Sequence, residues 1–182
     1  MGVRRSFWVA LVASSVILFP DVPAHAQLSS NPAAVNLQAV LASSLSVSTS
    51  PSLVNFTLVS GGTASGSSPL SITTTWVLRP NVGNVTLYAY FTSPSVALTD
   101  GAGDSIPSAN VQGSPNGRAF RPFTGASPFA PGSSLTIFRV TIVGRNRSLT
   151  RRDTLDLRIN TTGLSLPAGT YTGLLRLQAE AI

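Results

Sequence analysis

The sequence predicts an all-β protein: an antiparallel β-sandwich of seven or eight strands with Greek-key connections, behind an N-terminal export signal. Alternation of apolar and polar residues with a period of two returns in segment after segment between Val35 and Ala181, which marks strands with one buried face. No window beyond the signal holds a helical period, and Thr, Ser, Val and Gly dominate the composition. Gly, Pro, Ser and Asn fill the intervals between the alternating segments, as turns between short strands require.

The first 26 residues read as a cleavable signal. Arg4 and Arg5 give a positive start, Phe7 to Phe19 is an apolar and small-residue run, and Ala24-His25-Ala26 offers a cleavage site. The run is too short to span a bilayer as a helix, which takes about 20 residues. Arg4-Arg5-Ser6-Phe7 resembles a twin-arginine start but lacks its usual flanking residues, so ordinary unfolded export is the reading adopted. Without cysteine there is no lipid anchor.

Cutting after Ala26 removes the single histidine and leaves a chain with no Cys, His or Lys. Two of the twelve arginines and one of the six acidic residues go with the signal, leaving ten against five, a formal +5. The densest basic group, Arg145, Arg147, Arg151 and Arg152, surrounds one predicted turn and reads as a solvated loop rather than a polyanion surface.

Residues 27–34 form a polar leader, and residues 35–182 are expected to form one domain, long enough to bury a core unaided by disulfides. From Val35 to Val47 the odd positions are apolar except Ser43, and a single strand of that length would run roughly 43 Å at 3.3 Å per residue. It either crosses between sheets or reaches beyond its own domain. Val54, Phe56 and Leu58 alternate next, then Ile72, Thr74, Trp76 and Leu78. A turn at Asn81 to Asn84 leads to Val85, Leu87, Ala89 and Phe91, so these last two segments are expected to form a hairpin.

Leu135 to Val143 is apolar enough for a central strand covered on both faces, with Arg139 needing a route to solvent or a partner. Leu155, Leu157 and Ile159 alternate with polar neighbours, and Tyr171, Gly173, Leu175, Leu177, Ala179 and Ala181 line the inward face of a closing strand. Residues 100–134 carry no clear strand and are expected to be a long loop. Its second half, from Gly113, gathers Arg118, Phe120, Arg121, Phe123 and Phe129. Those residues either cap one open end of the sandwich or form a recognition loop for a glycan or protein.

The chemistry open to such a chain is narrow. A serine nucleophile needs a base, and the residues after the signal include neither His nor Lys. Ordinary zinc, copper and haem sites need His or Cys. Asp100 and Asp104, the one close carboxylate pair off a strand, could hold a calcium ion together with loop carbonyls, but they lack the alternating ligands of an EF-hand loop and the better reading is a solvated turn. Asp153 and Asp156 are three apart on a strand and face opposite ways. No catalytic residue, metal site or cofactor is expected.

Val35-Asn36-Leu37-Gln38-Ala39-Val40-Leu41, Leu45 to Ser48 and Val54-Asn55-Phe56, together with the closing Leu166 to Gly173, resemble the terminal strands of the spore coat protein U and DUF4402 group of secreted domains. That resemblance implies an immunoglobulin-like sandwich akin to surface-fibre subunits, and no catalytic residues. The function expected is therefore a structural or adhesive protein of the periplasm, cell surface or exterior. It would assemble with itself or another sandwich by strand addition, with Val35, Leu37, Ala39 and Leu41 as the exchanged strand. The alternative is an extracellular binding module that uses the 113–134 loop. Neither reading involves nucleic acid or an integral membrane span.

Overall fold

A computed structural model describes residues 34–182. The expected export signal and residues 27–33 of the polar leader lie outside the described residues. The chain divides after Ala39, and the described part of the first unit, residues 34–39, has no regular secondary structure. The second unit, from Val40 to Ile182, is an all-β sandwich with antiparallel sheets.

Its strands are β1 (Ser44–Ser50), β2 (Thr63–Ser65), β3 (Leu70–Val77), β4 (Asn84–Tyr90), β5 (Leu98–Thr99), β6 (Ser105–Ile106), β7 (Val111–Pro115), β8 (Arg121–Pro122), β9 (Ser134–Thr141), β10 (Ser148–Asn160) and β11 (Arg176–Ala181). The larger sheet has the order β1-β3-β10-β7-β8, with β2 also on β10. The smaller has the order β11-β4-β9, and β5 with β6 makes a separate ribbon.

Alternation places the core where the sequence expects it. Ile72, Thr74 and Trp76 of β3, Leu155, Leu157 and Ile159 of β10 and Val85, Leu87 and Ala89 of β4 all point inward and are buried. Each large apolar side chain taken fully out of water contributes roughly 1.5–3 kcal/mol, and this layer is what holds the two sheets together.

Several expectations need correcting. β3 and β4 are not a hairpin: β3 already has β1 on one side and β10 on the other, so residues 78–83 carry the chain across to the other sheet. β9 is not a central strand but the edge of the smaller sheet, and Arg139 is exposed there. Its apolar run comes from a bulge. The register slips between Leu87 and Tyr88, so Ile137 has no partner on β4, and both Ile137 and Phe138 are buried.

The stretch 100–134 is not strandless either. β7 pairs with both β10 and β8 inside the larger sheet. Its sequence, Val-Gln-Gly-Ser-Pro, hides that role because Gly113 reads as a turn. In the fold, a Cβ on Gly113 would lie 2.6 Å from Leu135 Cδ2 and 2.9 Å from Leu155 Cδ1, so the glycine is there to admit core side chains.

One end of the core is closed by polar groups. Asp153 sits on the inward face of β10, its side chain 1% exposed, and takes both Nε and Nη2 of Arg151 at 2.8 Å. Asn116 Nδ2 donates to the same carboxylate at 2.8 Å, and the Arg151 guanidinium lies 4.4 Å above the Phe138 ring. Asp156 faces outward, as the three-residue spacing demands. Removing the carboxylate strands three donors near the core, and an Asp153→Ala variant is expected to lose about 2–4 kcal/mol of stability, read as a lower urea midpoint with an unchanged m-value.

Candidate functional site

Strand-like sequence without strand partners marks the site. After β1 the chain runs on through residues 51–58, where Val54, Phe56 and Leu58 are half-buried and the residues between them are exposed. That is a strand pattern, yet the segment has no ladder. It makes one isolated bridge, Phe56 to Gly66, and is pinned by Asn55 and Ser67, whose backbone and side-chain groups exchange hydrogen bonds of 2.9 and 3.1 Å.

The closing segment behaves alike. The alternation from Tyr171 predicts a strand, but pairing with β4 begins only at Arg176. Before it, Thr172 bridges Thr99 through two 2.8 Å backbone bonds. Gly173 runs so close to β5 that a Cβ would stand 2.0 Å from the carbonyl oxygen of Ala97. The Tyr171 hydroxyl donates to the Pro167 carbonyl at 3.1 Å. Desolvation, and then the neighbouring Asp100 and Asp104 carboxylates, raise its pKa above the ordinary tyrosine value.

Between these two segments lies an apolar groove of about 530 Å³. Val54, Phe56 and Leu58 form one wall and Tyr171 to Leu175 the other, while Val111, Leu157 and Ile159 are on its floor. Leu53 and Leu174, 68% and 65% exposed, stand at its lips. β1 and β11 each pair with one neighbour only, and Thr49 of β1 and Leu177 of β11 are the residues by which these two strands reach the groove. The structure therefore offers unpaired backbone edges together with apolar sockets, the two things an added strand uses.

The expected strand donor is in plain view. Residues 34–43 are not strand, and Val35, Leu37 and Leu41 are 80%, 93% and 83% exposed; Ala39 is exposed as well. The single strand expected from Val35 to Val47 thus starts only at Ser44.

The loop candidates do not share a surface. Phe123 is fully buried edge-on to Phe91 at 5.2 Å, so it is a core residue. Phe120 lies beneath Arg158 of β10 at 4.1 Å. Phe129 packs on Tyr88 and Tyr90 of the other sheet, and Arg118 and Arg121 are exposed. One aromatic enters the core while the other two cover different sheets, because the segment wraps the end of the sandwich.

Asp100 and Asp104 do not converge on a cation. Asp100 Oδ1 accepts the backbone N–H groups of Ala102, Gly103 and Asp104 at 2.9, 3.2 and 3.0 Å, which closes the turn on itself. Among the described residues no group of three or more His, Cys, Asp or Glu side chains is placed to hold a metal. No helix among them is long and apolar enough to cross a membrane.

Comparison with known proteins found no matching family model, no matching curated protein and no matching solved structure.

Sequence reasoning missed the groove walls, because alternation at residues 54–58 and 171–175 is the same signal whether or not a strand lies alongside. The wall is also sterically tuned. Gly173→Ala drives a methyl group into the Ala97 carbonyl, and the variant is expected to lose about 2–3 kcal/mol in thermal or urea unfolding, whereas Gly101→Ala, with open space around it, loses about 1 kcal/mol or less from its positive φ alone.

Proposed function

We propose that this chain is a non-enzymatic, exported structural or adhesive surface subunit that assembles by β-strand addition. Val35, Leu37, Ala39 and Leu41 of one copy enter the groove between residues 51–58 and 169–177 of another. The observation that carries this reading is a match of two halves: an exposed alternating apolar segment, and a groove whose walls have strand sequence and no strand between them. Seven residues from Val35 to Leu41 extend roughly 23 Å as a strand, and the wall from Pro51 to Leu58 supplies eight residues to meet them.

Side-chain parity supports a second copy as the recipient. Turning back after Leu41 through Ala42-Ser43 would pair Leu41 with Ser44, Ala39 with Ser46 and Leu37 with Ser48. Paired residues share a face, and Ser44, Ser46 and Ser48 are on the exposed face of β1, so the apolar set would point into water. Ala-Ser also lacks the Gly or Asn that a two-residue hairpin turn prefers. Donation to a neighbour carries no such constraint, and a head-to-tail contact of this kind adds subunits without closing.

Export by the predicted signal, the resemblance to secreted surface domains and the lack of His, Cys and Lys after the signal all fit this role. Each Val or Leu that leaves water contributes roughly 1.5–3 kcal/mol, supplemented by backbone bonds to the strand-like walls of the groove.

The test is assembly. The purified chain from Gln27 is expected to form concentration-dependent multimers by light scattering, and Leu37→Asp is expected to weaken association at least about tenfold while leaving the unfolding midpoint unchanged. A chain that stays monomeric on concentration, with the amides of residues 35–41 protected from hydrogen exchange, sinks the proposal. A monomer with those amides unprotected does so as well.

A further inference from the structure

The outer face of the smaller sheet carries a second cluster that strand addition does not use. Alternation along β4 sends Tyr88 and Tyr90 away from the core, and both are half-buried. Phe129, from the segment before β9, lies over them, stacked on Tyr90 at 5.7 Å and 24° and edge-on to Tyr88 at 5.9 Å. The register sets Arg176 beside Tyr90 and Gln178 beside Tyr88 on one flank, with Thr136 beside Tyr88 on the other.

These neighbours keep hydrogen-bonding capacity in hand. Tyr90 Oη donates to Gln178 Oε1 at 2.8 Å, which fixes the amide so that its NH2 has two protons to offer outward. Arg176 and Gln178 are exposed, and the Arg176 guanidinium makes no hydrogen bond or ion pair among the described residues. The face thus joins a partly exposed aromatic surface to planar polar groups at its rim, with Glu180 and Arg139 of opposite charge in the next row.

The geometry points to a carbohydrate-binding face, in which the apolar C–H side of a pyranose ring lies on the Tyr88, Tyr90 and Phe129 cluster and its hydroxyls bond to Gln178 and Arg176. A pyranose has this same division, apolar on one side and polar around the rim, and aromatic side chains with a wet edge meet both. A peptide strand seeks an unpaired edge, and β4 is paired on both sides here. A polyanion needs a one-signed field, which Glu180 opposite Arg139 does not provide.

Phe129 also anchors its own loop, a role that requires neither Gln178 nor Arg176, and the experiment turns on those two side chains. The purified chain is titrated with cellohexaose and with chitohexaose while the Tyr88 and Tyr90 ring resonances are followed by NMR. One of the two saccharides is expected to shift the rings saturably with a dissociation constant of about millimolar or tighter. Gln178→Ala and Arg176→Ala are each expected to weaken binding about fivefold or more, with an unchanged unfolding midpoint because both side chains are exposed. Absence of a saturable shift with both saccharides overturns the proposal. Binding that either substitution leaves unchanged does so too.

Discussion

Three strands set against a larger sheet of six govern the molecule. The hydrophobic effect requires that the inner face of the larger sheet be covered, and β11, β4 and β9 cover only part of it. What remains is closed in different ways at different places. The segment before β9 lends Phe123 to the core, the Arg151, Asp153 and Asn116 group closes the end near Phe138, and the region over Leu157 and Ile159 is left as the groove. Among the described residues, the groove is the one place where strand-like segments line the core without pairing into a ladder.

The same deficit makes sense of two segments that carry strand sequence but form no ladder. A strand pays for its ordering through neighbours on both sides, and residues 51–58 and 169–175 each lack one. Local hydrogen bonds hold them instead: Asn55 to Ser67, Thr172 to Thr99, and Tyr171 to Pro167. These fix the walls of the groove without filling it. Stability is thus concentrated around Trp76, Leu87 and Leu155, and the groove lies at the less tightly bonded margin, where binding surfaces are usually found.

The long segment before β9 shows how one stretch of chain serves several purposes. Phe123, Phe120 and Phe129 are spaced so that a chain rounding the end of the sandwich delivers the first to the core and the others to opposite outer faces. Sequence shows three aromatics in a loop, which would either cap one end of the sandwich or form a recognition loop. The path of the backbone separates them.

Alternation of apolar and polar residues, with turn residues between, determined by itself that the chain is all-β, which residues of β3, β4 and β10 face inward, and that Asp153 and Asp156 point apart, because strand geometry fixes side-chain direction with a period of two. It could not determine pairing. That β3 and β4 belong to different sheets, that Val111 to Pro115 is a strand inside the larger sheet, and that the Leu135 to Val143 run is a bulged edge were decided by tertiary structure. Hydrogen bonds between strands join residues far apart in the chain, and Gly113 is readable as a strand residue only once Leu135 and Leu155 stand over it. The groove belongs to this second class: its walls are written in the sequence, but the space between them exists only because the two sheets differ in width.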